Sequence, residues 1–226
     1  MDVKPYTLQY QKNDIYLIPK EQQHTNTLIW FHGLGDNPNG YLDIFNSYYS
    51  PIPFFFKIIL LCAPTAKLTL LNEETTSWFD IYQPGFRNAK SYNYEDVKKD
   101  KIKIQNIVEE EVKLLNGKYD KIFMGGFSQG ACLSLDFAFT FEKKIGGVIA
   151  CSGILFYETE IKKENKDINI FIAHGKYDNV INFDISMKSY DRIKDFKNVE
   201  IHDIMMKHNI CEEEVEEIRK FIKKKC

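Results

Sequence analysis

The stretch KIFMGGFSQGACL, residues 121–133, decides the fold. Lys121–Met124 opens it as an apolar run of strand type, and Gln129–Phe139 continues it as a helix pattern. Between them stands Gly126-Phe127-Ser128-Gln129-Gly130, a G-x-S-x-G sequence placed where a strand must turn sharply into a helix. Such a turn has no room for side chains on its flanks, and Gly125, Gly126, Gly130 and Ala131 supply that room. Ser128 is expected to project its hydroxyl at the helix N-terminus, where partial positive charge favours a developing anion. The plainer alternative makes Ser128 a helix N-cap, its side chain spent on the backbone. The two readings differ in one observable, the partner of the Ser128 hydroxyl.

Outward from that turn, similar runs recur on both sides. Thr27–Phe31, Ile58–Cys62, Gly147–Cys151 and Ile168–Ala173 read as strands buried on both faces, and Val199–Met205 is a last strand candidate that alternates less cleanly. Tyr6–Tyr10 and Ile15–Ile18 are earlier strands joined across Lys12-Asn13-Asp14. Helices are expected over Val97–Leu115, over Asp184–Ile193 and along Cys211–Ile222. The first carries Ile104, Ile107, Val108, Val112 and Leu115 on one face, the last Cys211, Val215, Ile218 and Ile222. This alternation predicts an α/β fold: a single domain over residues 1–226, its mostly parallel central sheet covered by helices on both faces and begun by an antiparallel pair. Two stretches stand outside the pattern. His32–Gly40 (HGLGDNPNG) is polar and glycine-rich, and Pro64–Tyr94 is long and aperiodic. Both begin at the C-terminal ends of predicted strands, where open parallel sheets place their chemistry.

A serine hydroxyl is a weak nucleophile that needs a base, itself oriented by an acid. With this kind of turn the chain order is Ser, then Asp or Glu, then His. Three histidines follow Ser128: His174, His202 and His208. His202 falls inside a predicted strand and His174 precedes the best acid, so His208, in a loop after a strand, is the candidate base. Asp178, just past a strand in HGKYDNV, is the candidate acid, with Asp184 and Asp203 as fallbacks. The oxyanion formed on attack needs backbone N–H donors. The residue after the nucleophile, Gln129, is expected to give one, and Leu34 in the HGLGD loop the other. His32 is expected to shape that loop by hydrogen bonding.

The 226 residues carry 30 Lys+Arg against 32 Asp+Glu, a formal charge of -2, so no long-range field selects nucleic acid. Seventeen Phe and thirteen Tyr are a heavy aromatic load, and Trp78, Phe79 and Tyr82 fall together in the long aperiodic stretch. Five cysteines without a C-x-x-C pair suggest neither a disulfide framework nor a zinc site. The first residues lack the apolar core of a signal peptide, Asp2 excludes N-myristoylation and the final KKKC is not a prenylation box. A soluble, cytoplasmic protein is therefore expected. No phosphate-binding loop, metal-ligand cluster or nicotinamide fingerprint occurs, so no metal and no cofactor is implied.

The order FHGLGD (31–36), CAPTAKLTL (62–70), SWFD (77–80), GGFSQGA (125–131), SG (152–153), HGKYDNV (174–180) and a late His208 resembles the acyl-protein thioesterase / lysophospholipase-like carboxylesterase family of α/β hydrolases. The resemblance spans roughly residue 27 to the C-terminus; residues 1–26 are not a distinctive match. It implies Ser128, Asp178 and His208 as triad, with the backbone amides of Leu34 and Gln129 as oxyanion donors. It further implies Trp78 beside the active site and an apolar acyl channel, for which Leu70, Leu71, Trp78 and Phe79 are the candidates. The implied substrates are S-acylated (palmitoylated) proteins, small acyl esters or lysophospholipids, met by a monomer or weak homodimer with at most transient membrane contact. A short-chain carboxylesterase or lysophospholipase with the same triad is the first alternative, with a peptidase and a non-catalytic binding protein behind it. Lys176-Tyr177, Asn182 and Lys207 depart from the family pattern, where small or acidic residues, proline and glycine are usual.

Overall fold

Asn26–Phe31 (β3) is buried at every residue because strands flank it on both edges and helices cover both faces. The computed structural model describes residues 4–226. The other strands of the main sheet are β1 (Tyr6–Gln11), β2 (Asp14–Pro19), β4 (Phe56–Leu61), β7 (Ile122–Phe127), β8 (Gly147–Cys151), β9 (Asn169–Gly175) and β10 (Val199–Ile204). They lie in the order β1-β2-β4-β3-β7-β8-β9-β10. The two pairings that involve β2 are antiparallel and all the others are parallel. This is the expected sheet, antiparallel start included. Alternate side chains point to opposite faces. Ile29, Phe31, Ile59, Met124 and Val148 meet one core, lined by α2 (Tyr94–Leu114), α3 (Gln129–Thr140) and α4 (Phe183–Tyr190). Leu28, Trp30, Ile58, Phe123 and Ile149 meet the other, closed by α1 (Leu42–Phe45) and α5 (Glu212–Lys225).

Two features depart from the sequence reading. β7 runs three residues past Met124, through Gly125 and Gly126, because the strand is paired on both edges and its neighbours exclude side chains. A Cβ on Gly125 would stand 2.7 Å from the Trp30 ring. The stretch 64–94 is also structured. β5 (Thr65–Leu68) and β6 (Glu73–Thr76) form an antiparallel hairpin, and Ile81 bridges to Tyr92. TAKL and EETT are short, polar and largely exposed, so they carry no hydrophobic period for a sequence reading to find.

The buried face of α5 holds a carboxyl. Ile218, Phe221 and Ile222 are buried as a helical stripe, and Glu214 completes it one turn earlier, where Val215 is only half-buried. Among the described residues, neither Glu214 oxygen has a partner at proper hydrogen-bond geometry. Burial pushes its pKa from 4.5 up to about 7, against the smaller lowering effects of the nearby Cys151 thiol and Cys211 amide. A raised carboxyl pKa favours the neutral folded form, so stability is greatest below the unfolded pKa and falls as pH rises towards 7. Glu214→Gln is expected to change stability little at pH 5 and to add about 2–3 kcal/mol at pH 8.5. Urea melts at the two pH values check this; a gap that does not widen with pH would contradict it.

Candidate active site

β7 and β8 end in step, and β9 runs two residues past them. Phe127, Cys151 and Ala173 are aligned across β7, β8 and β9, so the next residues, Ser128, Ser152 and His174, stand side by side at the C-terminal edge of the sheet. Ser128 N–H donates to Cys151 O (2.8 Å) and Ser152 N–H to Ala173 O (2.8 Å). Ser128 has φ 55° and ψ −117°, a conformation that costs an L-residue on the order of 1–3 kcal/mol. The turn holds because α3 packs directly on the end of β3. A Cβ on Gly126 would stand 2.4 Å from Gly130 C, and one on Gly130 2.0 Å from Phe31 O.

Ser128 makes no capping bond to its helix, which sets the N-cap alternative aside. Its Oγ lies 2.9 Å from His208 Nε2, and His208 Nδ1 lies 2.7 Å from Asp178 Oδ2. A carboxylate can only accept, so Nδ1 carries the ring hydrogen and Nε2 is left to receive the serine proton. Asp178 Oδ1 accepts the N–H groups of Val180 and Ile181, both at 2.8 Å. Burial alone would raise the Asp178 pKa, but bonding from His208 and these two amides holds it below the usual carboxylate range. Phe127 packs against the His208 ring at 4.7 Å and limits its rotation.

The structure thus gathers Ser128, His208 and Asp178, residues 80 and 30 positions apart, into one hydrogen-bonded line. The alternatives fall elsewhere. His202 stacks on Phe171, Asp203 pairs with Lys176 at the surface, and Asp184 lies in the exposed first turn of α4. His174 is buried beside Asp178 and does not meet Ser128.

The HGLGD loop lies against the serine: a Cβ on Gly33 would stand 3.4 Å from Ser128 Cβ. Among the described residues, the N–H groups of Leu34 and Gln129 are spent on no internal acceptor. His32 shapes this loop. Its Nδ1–H donates to Gly33 O (2.7 Å), and Nε2 accepts the Ala63 N–H (3.0 Å). Burial lowers its pKa, which keeps the ring neutral for that double role. Gly35 N–H donates to Thr76 O (2.8 Å) and docks the hairpin on the loop.

Of the channel candidates, Leu70 and Leu71 lie exposed at the hairpin turn. Trp78 is buried, its indole N–H donating to His32 O (2.8 Å). Phe79 is buried and packs against Phe86, Tyr92 and Phe156. The Gln129 side chain, which sequence reading missed, accepts from Trp78 N–H (3.1 Å) and donates to Phe79 O (2.9 Å). It ties residues 77–79 to the turn after β7. The polar Gln in G-x-S-x-G was the available signal.

Residues 12–226 match the phospholipase/carboxylesterase family. The match starts earlier than the motifs alone indicate, and takes in β2. The chain is 34% identical over 209 residues to acyl-protein thioesterase 1 of Candida albicans, covering 87% of this chain and 90% of that one. It is 31% identical over 222 residues to acyl-protein thioesterase 1 homolog 1 of Dictyostelium discoideum, covering 92% and 94%. Among solved structures, Zea mays acyl-protein thioesterase 2 superposes with a TM-score of 0.77 over 94% of this chain and 98% of that one, at 22% identity.

Proposed function

The chain belongs to the phospholipase/carboxylesterase family of α/β hydrolases, and we propose that it cleaves acyl thioesters, removing S-linked fatty acyl groups from proteins through Ser128, His208 and Asp178. The observation that carries the reading is the hydrogen-bonded line from Ser128 Oγ through His208 to Asp178, built on a serine held at positive φ. The relatives named acyl-protein thioesterase 1 supply the substrate class.

His208 Nε2 takes the proton as Ser128 Oγ attacks the acyl carbonyl. The N–H groups of Leu34 and Gln129 receive the oxyanion, each worth roughly 3 kcal/mol of barrier. The tetrahedral intermediate collapses with breakage of the C–S bond. The thiolate is a good leaving group and takes its proton from His208 with little assistance. Water, deprotonated by the same Nε2, then releases the carboxylic acid and restores Ser128. Asp178 remains ionised and stabilises the imidazolium at each stage.

The acyl chain is proposed to lie along the apolar edge beside this site. Leu70 N–H donates to Ile81 O (2.9 Å), and a Cβ on Gly85 would stand 3.9 Å from Val180 O, in the Asp178 loop. The hairpin turn, residues 81–86 and the acid loop are therefore successive neighbours, and they expose Leu70, Leu71, Tyr82 and Val180. A fully buried methylene contributes about 0.8 kcal/mol, roughly fourfold in kcat/KM, and these half-open side chains should deliver less. For acyl thioesters of four to sixteen carbons, kcat/KM is expected to climb over the first added methylenes and then level off. A rate independent of length would remove the channel, and faster turnover of matched oxyesters would favour a carboxylesterase instead. The membrane is proposed to be met only transiently, through the acylated substrate: among the described residues no helix is long and apolar enough to cross it.

A further inference from the structure

His174 is fully buried at the end of β9, one strand over from Ser152, and no step above uses it. Its Nε2 meets only acceptors: Ile181 O at 2.8 Å and Asp178 Oδ2 at 3.3 Å. That Oδ2 is the same oxygen that receives His208 Nδ1. A carbonyl and a carboxylate can only accept, so Nε2 carries a hydrogen; it is donated to Ile181 O, with Asp178 Oδ2 beside it outside hydrogen-bond geometry. On the other side of the ring, Nδ1 lies 3.0 Å from the Ser186 hydroxyl of α4. The Ser186 hydroxyl donates to Gly153 O, which accepts the Tyr190 hydroxyl as well, at 2.8 Å. Burial disfavours a charged ring, lowering the His174 pKa, so Nδ1 is bare beside Ser186. The Ile181 carbonyl thus fixes the tautomer, with the hydrogen on the ring edge that faces the acid.

We propose that His174 is a positioning residue of the active site, whose Nε2–H fixes the Ile181 carbonyl of the loop that holds Asp178 Oδ1 and sets a partial positive charge beside Oδ2, the oxygen that receives His208. The role rests on the reading of Ser128, His208 and Asp178 as the reacting triad. A partial positive charge beside Oδ2 offsets part of the carboxylate's attraction for the His208 imidazolium, so removing that charge strengthens the attraction. The titratable group that faces the pair is His208, from the loop after β10; Tyr190 of α4 shares Gly153 O with Ser186, and burial holds it protonated throughout the working range.

The test is the pH profile of kcat/KM between pH 5 and 9, with a short-chain acyl thioester as substrate. His174→Asn removes the donor at the Nε2 position, while His174→Gln places an amide N–H near it. In His174→Asn the acid limb is expected to move up by about half to one pH unit, with roughly two- to eightfold loss of rate at pH 6. In His174→Gln the limb should return towards wild type. A purely structural role would lower rate and melting temperature in both variants without moving the limb, and that result overturns the proposal. Should His174→Asn fail to fold, His174→Phe, which keeps a ring but carries no donor, is expected to move the limb the same way. An unmoved limb there also overturns it. Ser128→Ala is run alongside. If that protein keeps wild-type turnover, the triad reading fails and takes this role with it; an unmoved limb over an inactive Ser128→Ala removes His174 alone.

Discussion

Ser128→Ala is expected to lower kcat for thioester hydrolysis by about 10⁵-fold while leaving the fold intact. Without Oγ no acyl-enzyme forms, and what remains is the stabilisation offered by the oxyanion donors, roughly 10³–10⁴ over water. The fold survives because the hydroxyl bonds only His208, which keeps its bond to Asp178. Loss of labelling by an active-site-directed serine phosphonate, with an unchanged melting temperature, checks both halves. Labelled Ser128→Ala protein would identify another nucleophile. A second substitution separates the hydroxyl from the backbone that presents it. At φ 55° and ψ −117° alanine is strained as serine is, whereas glycine is not. Ser128→Gly should therefore be more stable than Ser128→Ala by about 1 kcal/mol, although both are inactive. The strain is retained because it points Oγ out of the sheet edge towards His208.

Much of this arrangement was legible because its requirements are local. A turn from β7 to α3 that brings helix backbone against β3 admits only glycine at 126 and 130, and it dictates where the nucleophile stands. Asp178 and His208 were readable from chain order and from their places just past strands. What escaped depends on contacts distant in sequence. Phe79 resembles any aromatic in a long loop until Phe86, Tyr92 and Phe156 close around it. Glu214 reads as one of three first-turn acids on α5, a favourable place for negative charge. Only the packing of α5 on the sheet turns it inward. His174 read as a rival base, and its proposed role came from an acid four residues on and the Ile181 carbonyl. The hairpin escaped for a different reason, since polar four-residue strands have no face to bury.

Gly130→Ala is expected to be the most damaging single methyl in the chain. Gly130 lies in the first turn of α3, where an added Cβ would stand 2.0 Å from Phe31 O, 2.5 Å from Phe31 C and 2.8 Å from His32 O. These are backbone atoms, so no side chain can swing aside to make room, and α3 would have to withdraw from β3 by about 1 Å. That withdrawal breaks a packed assembly. His32 holds Ala63 N–H and receives the Trp78 indole, and the Gln129 side chain ties residues 78 and 79 to the same turn. A loss of about 3–5 kcal/mol is expected, some 10 °C in melting temperature for a chain of this size. Activity should fall further than stability does, because the Gln129 N–H moves with the turn while Leu34 stays with β3. Gly117→Ala is the control. It sits at φ 81° with no heavy atom within 4 Å of the added methyl, so it pays only for backbone conformation, about 1 kcal/mol. Equal losses at the two positions would mean that backbone conformation, and not contact with β3, makes Gly130 necessary. A wild-type melting temperature in Gly130→Ala would mean that α3 slides freely on the sheet, which is incompatible with a rigid turn presenting Ser128.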